Sequence, residues 1–153
     1  MFTIKLLPEG RDVFTGVLPN MNRNFLGGIR AALLQGGFLL VKTAKDGMQR
    51  ETKTGRVVKR KGKRSRRASA AGQYPGIGTG QTIQGVDMEI RGADQLEFGI
   101  MDRQQGSNDV PTFLEEGTSK MAARPTLALS HDARQKDLYN WLRRIPLQRM
   151  TQR

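Results

Sequence analysis

The chain has 153 residues, with 26 Lys and Arg against 14 Asp and Glu, a net charge of +12, and a hydrophobic fraction of 37%. That length and apolar content suit one domain, residues 1–153, with a modest core. With no cysteine and a single histidine, a disulfide framework, a zinc knuckle, an iron–sulfur site, a thiol nucleophile and a His-rich metal cluster are excluded, and a Ser-His-Asp site would depend on His131 alone.

In chain order, Phe2-Thr-Ile-Lys-Leu alternates apolar and polar residues before Pro8-Glu9-Gly10, the pattern of a short strand and a turn. The N-terminal residues lack the apolar core and cleavage site of a secretory signal, so the chain is expected to be intracellular and soluble. Asn20, Asn22 and Asn24 offer N-caps for a helix whose apolar residues, Phe25, Leu26, Ile29, Leu33, Leu40, Ala44 and Met48, recur at helical spacing to about Arg50. Gly28, Ala32 and Gly36 share one face of it, where a neighbouring element can approach closely. The run Phe25–Val41 is not read as a membrane span, because Arg30, Gln35 and four glycines interrupt it.

Next comes the cationic segment. Between Thr52 and Val86 lie nine bases, Lys53, Arg56, Lys59, Arg60, Lys61, Lys63, Arg64, Arg66 and Arg67, and no acid. The other 118 residues hold 17 bases and 14 acids, a net of only +3. A nearly neutral body therefore carries one basic, Gly/Pro-rich arm, residues 53–82, expected as a projecting loop or hairpin. Such a block repels itself and waits for an anionic partner. Duplex nucleic acid and an acidic protein surface both fit, while base stacking does not, since only Tyr74 lies nearby. Ile83–Arg91 and Leu96–Met101 then read as two antiparallel strands around a Gly-Ala-Asp turn. Asp102–Asn108 reads as polar loop, and Val110, Phe113 and Leu114 as a short apolar cluster. A last helix is predicted from about Ser130 to Ile145, N-capped by Ser130 or Asp132 and stopped by Pro146, with Leu138, Trp141, Leu142 and Ile145 on its buried face. Residues 147–153 are expected to be a flexible tail.

These elements predict an α+β fold in which a small antiparallel sheet is packed by two amphipathic helices, with a long basic loop or hairpin arm. No motif for chemistry emerges. Gly76-Ile-Gly-Thr-Gly lacks the third glycine of a dinucleotide fingerprint and the Lys of a P-loop. Ser130, His131 and Asp132 are sequence neighbours, which is not how a triad is built. Glu115 and Glu116 are successive, so their side chains diverge. No enzyme activity, cofactor or metal is expected.

Two stretches carry a resemblance: Ala71-Gly-Gln-Tyr-Pro-Gly-Ile-Gly-Thr-Gly, and Val110-Pro-Thr-Phe-Leu-Glu-Glu-Gly-Thr-Ser-Lys-Met-Ala-Ala-Arg-Pro-Thr-Leu. Together with the intervening strands and the long first helix, they resemble the tail-completion and head–tail joining (neck) proteins of long-tailed bacteriophages. Gly117, Thr118, Arg124 and Pro125 are its most specific positions. Glu116 departs from the family, which usually has an aromatic there, and Thr126 stands where Phe is common. The resemblance implies a structural subunit that forms a homo-oligomeric ring in the virion neck or at the head-proximal end of the tail, assembled in the host cytoplasm. Its partners would be neighbouring neck or tail proteins and double-stranded DNA in the channel, with no membrane. The competing reading is a free basic nucleic-acid-binding protein that uses residues 53–67. Gly117 is expected to supply a backbone conformation that a Cβ disfavours, and Pro125 to set the chain direction into the last helix.

Overall fold

The computed structural model describes residues 2–5, 19–60, 63–76, 81–101 and 110–151. In chain order they form β1 (Phe2–Lys5), α1 (Pro19–Arg50), β2 (Val57–Arg60), β3 (Lys63–Arg67), α2 (Gln81–Gly85), β4 (Val86–Arg91), β5 (Gln95–Ile100), α3 (Val110–Glu116) and α4 (Leu127–Thr151). β1, β5 and β4 make a three-stranded antiparallel sheet in that order, and β2 with β3 makes a separate two-stranded ribbon. The fold is α+β, with a small antiparallel sheet packed against helices.

The β4–β5 hairpin pairs Val86 with Ile100, Met88 with Phe98 and Ile90 with Leu96, so strand alternation gathers the apolar residues on one face. That face packs on α1, where Gly37 lies so close that a Cβ on it would stand 2.6 Å from Met88 Sδ and 3.0 Å from Leu96 Cδ1. The opposite face carries Asp87, Glu89 and Arg91 on β4 beside Gln95 and Glu97 on β5. The buried Glu97 carboxylate receives Arg91 Nε at 3.1 Å and Gln95 Nε2 at 3.3 Å.

α1 is the central element, since the sheet and α4 both pack on it. It contributes Ile29, Leu33, Leu40, Ala44 and Met48 to one core with Val86, Leu96, Phe98, Leu127 and Leu138. Each Leu, Ile or Met buried there stabilises by ~1.5–3 kcal/mol. That more than offsets the ~1 kcal/mol each interior glycine costs. Within Arg23–Arg50 an 18-residue window has a mean hydropathy of 1.3, and by length and composition alone the helix is sufficient to cross a membrane. In the fold this apolar surplus serves two packing partners at once.

The small-residue face of α1 is where α4 approaches, as its spacing predicts. A methyl group on Gly28 would lie 2.6 Å from Pro146 Cα, and one on Gly36 2.6 Å from Leu138 Cδ2. The same contact corrects the predicted end of the last helix. Pro146 does not stop α4, which begins at Leu127 and runs through Pro146 to Thr151, so 147–151 is helical and not a loose tail. An interior proline costs about 3 kcal/mol in a lone helix. Here Pro146 is fully buried on the bare backbone of Gly28, and the packing of α1 on α4 supports the turn that lacks its N–H. On the buried face Leu138 is in the core and Leu142 packs against it, but Trp141 and Ile145 are only half-buried.

Three further expectations change. Ile83 lies in α2 and the strand starts at Val86, three residues later than the alternation suggests. Val110–Glu116, expected only as an apolar cluster, is a helix. The caps proposed at Ser130 and Asp132 fall inside α4, because the helix is capped from elsewhere, as described below. The predicted Asp102–Asn108 loop and the Ile77–Gly80 part of the glycine-rich stretch lie outside the described residues.

Candidate interaction site

The basic arm contains a two-stranded ribbon. Val57 stands opposite Arg67 and Val58 opposite Arg66, and a register shift then brings Arg60 opposite Lys63. Gly55 N–H donates to Ala68 O and Ala68 N–H to Arg56 O, both at 2.9 Å, so the ladder continues to the root of the ribbon. Of the ten residues 56–60 and 63–67, seven are cationic: Arg56, Lys59, Arg60, Lys63, Arg64, Arg66 and Arg67. Arg56, Lys59, Ser65 and Arg67 are exposed, and Val57 is 51% exposed. Lys61 lies outside the described residues.

Lys53 belongs to the body. Its ammonium donates to Gly47 O at 3.1 Å and pairs with Glu51 at 3.0 Å, and its side chain is only 12% exposed. Residues 69–75 of the predicted arm are likewise docked, with Ser69 and Pro75 buried. What projects is therefore shorter than residues 53–82. A loop that exposes its backbone needs water, whereas this return strand satisfies its polar groups on the body.

One side chain closes the root. Gln73 Oε1 accepts from Thr54 N–H (3.2 Å), Thr54 Oγ1 (3.2 Å) and Ala70 N–H (2.9 Å), and Gln73 Nε2 donates to Thr52 O at 3.3 Å. Both legs of the ribbon are thus pinned at one point. Next to it, Tyr74 N–H donates to Glu51 Oε2 at 3.1 Å, the Tyr74 ring lies over Gly47, and the Tyr74 hydroxyl shares a 3.2 Å hydrogen bond with Ser130 Oγ. Ser130 Oγ itself donates to Thr126 O at 2.6 Å. Burial pushes the Tyr74 pKa above its ordinary value of 10.0, with the Ser130 hydrogen bond opposing that shift.

The segment Glu115–Pro125 forms the joint beneath this root. Gly117 has φ +82°, and a Cβ on it would lie 2.8 Å from both Ala123 N and Met121 O, so the expected glycine requirement is met twice over. Thr118 and Met121 form an isolated bridge, and Arg124 N–H donates to Leu114 O at 2.7 Å. The chain then passes Pro125 and enters α4 at Leu127. α4 has no acid in its own first turn. Glu115 supplies one from α3, accepting from Thr126 N–H (2.8 Å), Leu127 N–H (3.0 Å) and Ala128 N–H (2.9 Å). A carboxylate placed there satisfies donors that no helix can satisfy internally and opposes the positive end of its dipole. Glu116, its neighbour, is exposed.

The legs meet the joint directly, since Gly72 N–H donates to Ala123 O at 3.0 Å. Sequence reasoning named Gly117, Thr118, Arg124 and Pro125 but missed Gln73, Glu51 and Glu115, whose partners lie 11 to 23 residues away. No local pattern announces such bonds. His131 Nδ1 and Asp132 Oδ1 are 3.3 Å apart at the surface, and among the described residues no group of three His, Cys, Asp or Glu side chains could hold a metal ion. No family model, curated protein or solved structure matches this chain.

Proposed function

We propose that this chain is a structural virion protein of a long-tailed bacteriophage that forms a homo-oligomeric ring in the neck or at the head-proximal end of the tail, joining head and tail around the DNA channel. The single observation that carries the reading is the convergence of its two family-like stretches. Tyr74 and Pro75 are about forty residues from Glu115–Pro125 in sequence, yet the two stretches meet through the Gly72–Ala123 bond, and Tyr74 is tied to Ser130 in the helix that the second stretch enters. The residues that carry the resemblance are spent on backbone geometry and on holding an arm, the economy of an assembly subunit rather than of a reactive cleft. A ring needs a heterologous, self-closing contact, and a rigidly rooted projection is one way to bring neighbours together.

The test is the mass of the purified protein in solution, followed by reconstruction of the particle neck. A closed oligomer of several copies, seen again as a ring between head and tail, is expected. A monomer or dimer at assembly concentrations that shifts DNA would overturn the proposal in favour of a free nucleic-acid-binding protein.

A further inference from the structure

We infer that the β2–β3 ribbon binds the phosphate backbone of double-stranded nucleic acid, without sequence preference. This goes beyond the ring reading and stands or falls separately from it.

Charge density carries the argument. Six of the seven cations sit on strands of four and five residues, and Arg56 immediately precedes β2. At ~3.3 Å per residue the longer strand spans about 16 Å. A duplex offers one negative charge per ~1.7 Å, about nine over that length. The match is close. Positions 64 and 66 share one face of β3 and position 67 lies on the other. Position 60 is opposite position 63 in the register, and like charges at opposite positions destabilise a ribbon standing alone. No acid within residues 52–86 relieves it.

An acidic surface on another protein copy is a poorer fit. The β4–β5 hairpin concentrates four acids, Asp87, Glu89, Asp94 and Glu97, around Arg91. Glu97 is buried, and Arg91 already pairs with Glu97 at 3.1 Å and Glu89 at 3.4 Å. A net of −3 cannot neutralise +7. Single strands are disfavoured by a different observation. Their binding relies on aromatic stacking, and the aromatic nearest the ribbon in sequence, Tyr74, is turned into the body and bonded to Ser130. The ribbon is also narrow enough for a duplex groove, since the major groove admits two antiparallel strands. Contacts that are purely ionic leave a protein free to slide along DNA, so such a ribbon does not obstruct a moving genome.

Binding of the full chain to fluorescent duplexes of two unrelated sequences should be followed by anisotropy between about 50 and 200 mM salt. Seven phosphate contacts give a log–log slope of about −6, a loss of roughly a thousandfold or more, and the two sequences should agree within about threefold. Replacing Lys59, Arg60, Lys63, Arg64, Arg66 and Arg67 together by Gln should flatten the slope to about −1. A charge-matched control with Arg30, Lys42, Lys120, Lys136, Arg143 and Arg144 changed to Gln should keep most of it. Thermal melts and solution masses of all three proteins show whether each is folded and assembled. A wild-type slope shallower than about −2, or a control that loses as much as the ribbon variant, would overturn the inference. So would a ribbon variant that binds duplex normally but fails to oligomerise, which would assign the ribbon to a protein neighbour. Duplex binding without a ring would sink the ring reading alone, and a ring without duplex binding would sink this inference alone.

Discussion

Gly27 and Gly28 are adjacent in α1, yet alanine at the two positions should shift stability in opposite directions. Either substitution gains about 1 kcal/mol of helix propensity. At Gly27 the new methyl would meet only Arg149 Nη1, at 3.8 Å, an ordinary contact. At Gly28 it would lie 2.6 Å from Pro146 Cα, 3.2 Å from Pro146 N and 3.3 Å from Ile145 O. These are backbone atoms of a packed helix, so they cannot turn aside as a flexible side chain would, and α4 must be displaced. Overpacking of that kind costs about 1–3 kcal/mol. Because the propensity gain is common to both variants, their difference isolates the steric cost. Gly27→Ala should raise the melting temperature by about 2–4 °C, while Gly28→Ala should fall below wild type by up to about 2 kcal/mol. Urea unfolding followed by circular dichroism, with unchanged m-values, measures both. Equal midpoints for the two variants would refute the close approach of Pro146 to α1, and with it the account of why α4 continues through a proline.

Other consequences are equally direct. Glu115→Gln keeps one acceptor oxygen but removes the charge that caps α4, and should cost about 1–2 kcal/mol in urea unfolding. Gly117→Ala combines a left-handed φ with a Cβ 2.8 Å from Ala123 N. It should destabilise by at least about 1 kcal/mol by the same assay, and wild-type stability would refute the turn geometry. Tyr74 titrates higher in the folded state than in the unfolded state, so above its ordinary value of 10.0 the unfolded chain binds fewer protons and stability falls as pH rises toward the folded value. Tyr74→Phe should lose about 1 kcal/mol at neutral pH, with the gap to wild type narrowing above pH 10 in thermal melts.

The amino-acid sequence by itself determined the class of the fold, the body and C-terminal end of α1, the β4–β5 pairing and the charge separation between body and arm, while α1 starts at Pro19, ahead of the caps expected at Asn20 to Asn24. Each is a local property. Helical and strand periodicities are written in residues one to four apart, and a run of cations without acids needs no fold to be seen. The Gly28–Ala32–Gly36 face was legible for the same reason, although what approaches it was not. Tertiary structure decided the rest. Pro146 reads as a helix stop because its cost is local, whereas the burial on Gly28 that accompanies its place inside α4 comes from a residue 118 positions earlier. Ser130 reads as an N-cap, but Glu115 reaches α4 first from another helix and shifts its start to Leu127. Lys53 and Tyr74 look like parts of a projecting arm until Glu51 and Ser130 hold them to the body. Hydrogen bonds between residues far apart in the chain leave no periodic trace, so only the folded chain divides the basic segment into a docked root and a separate two-stranded ribbon.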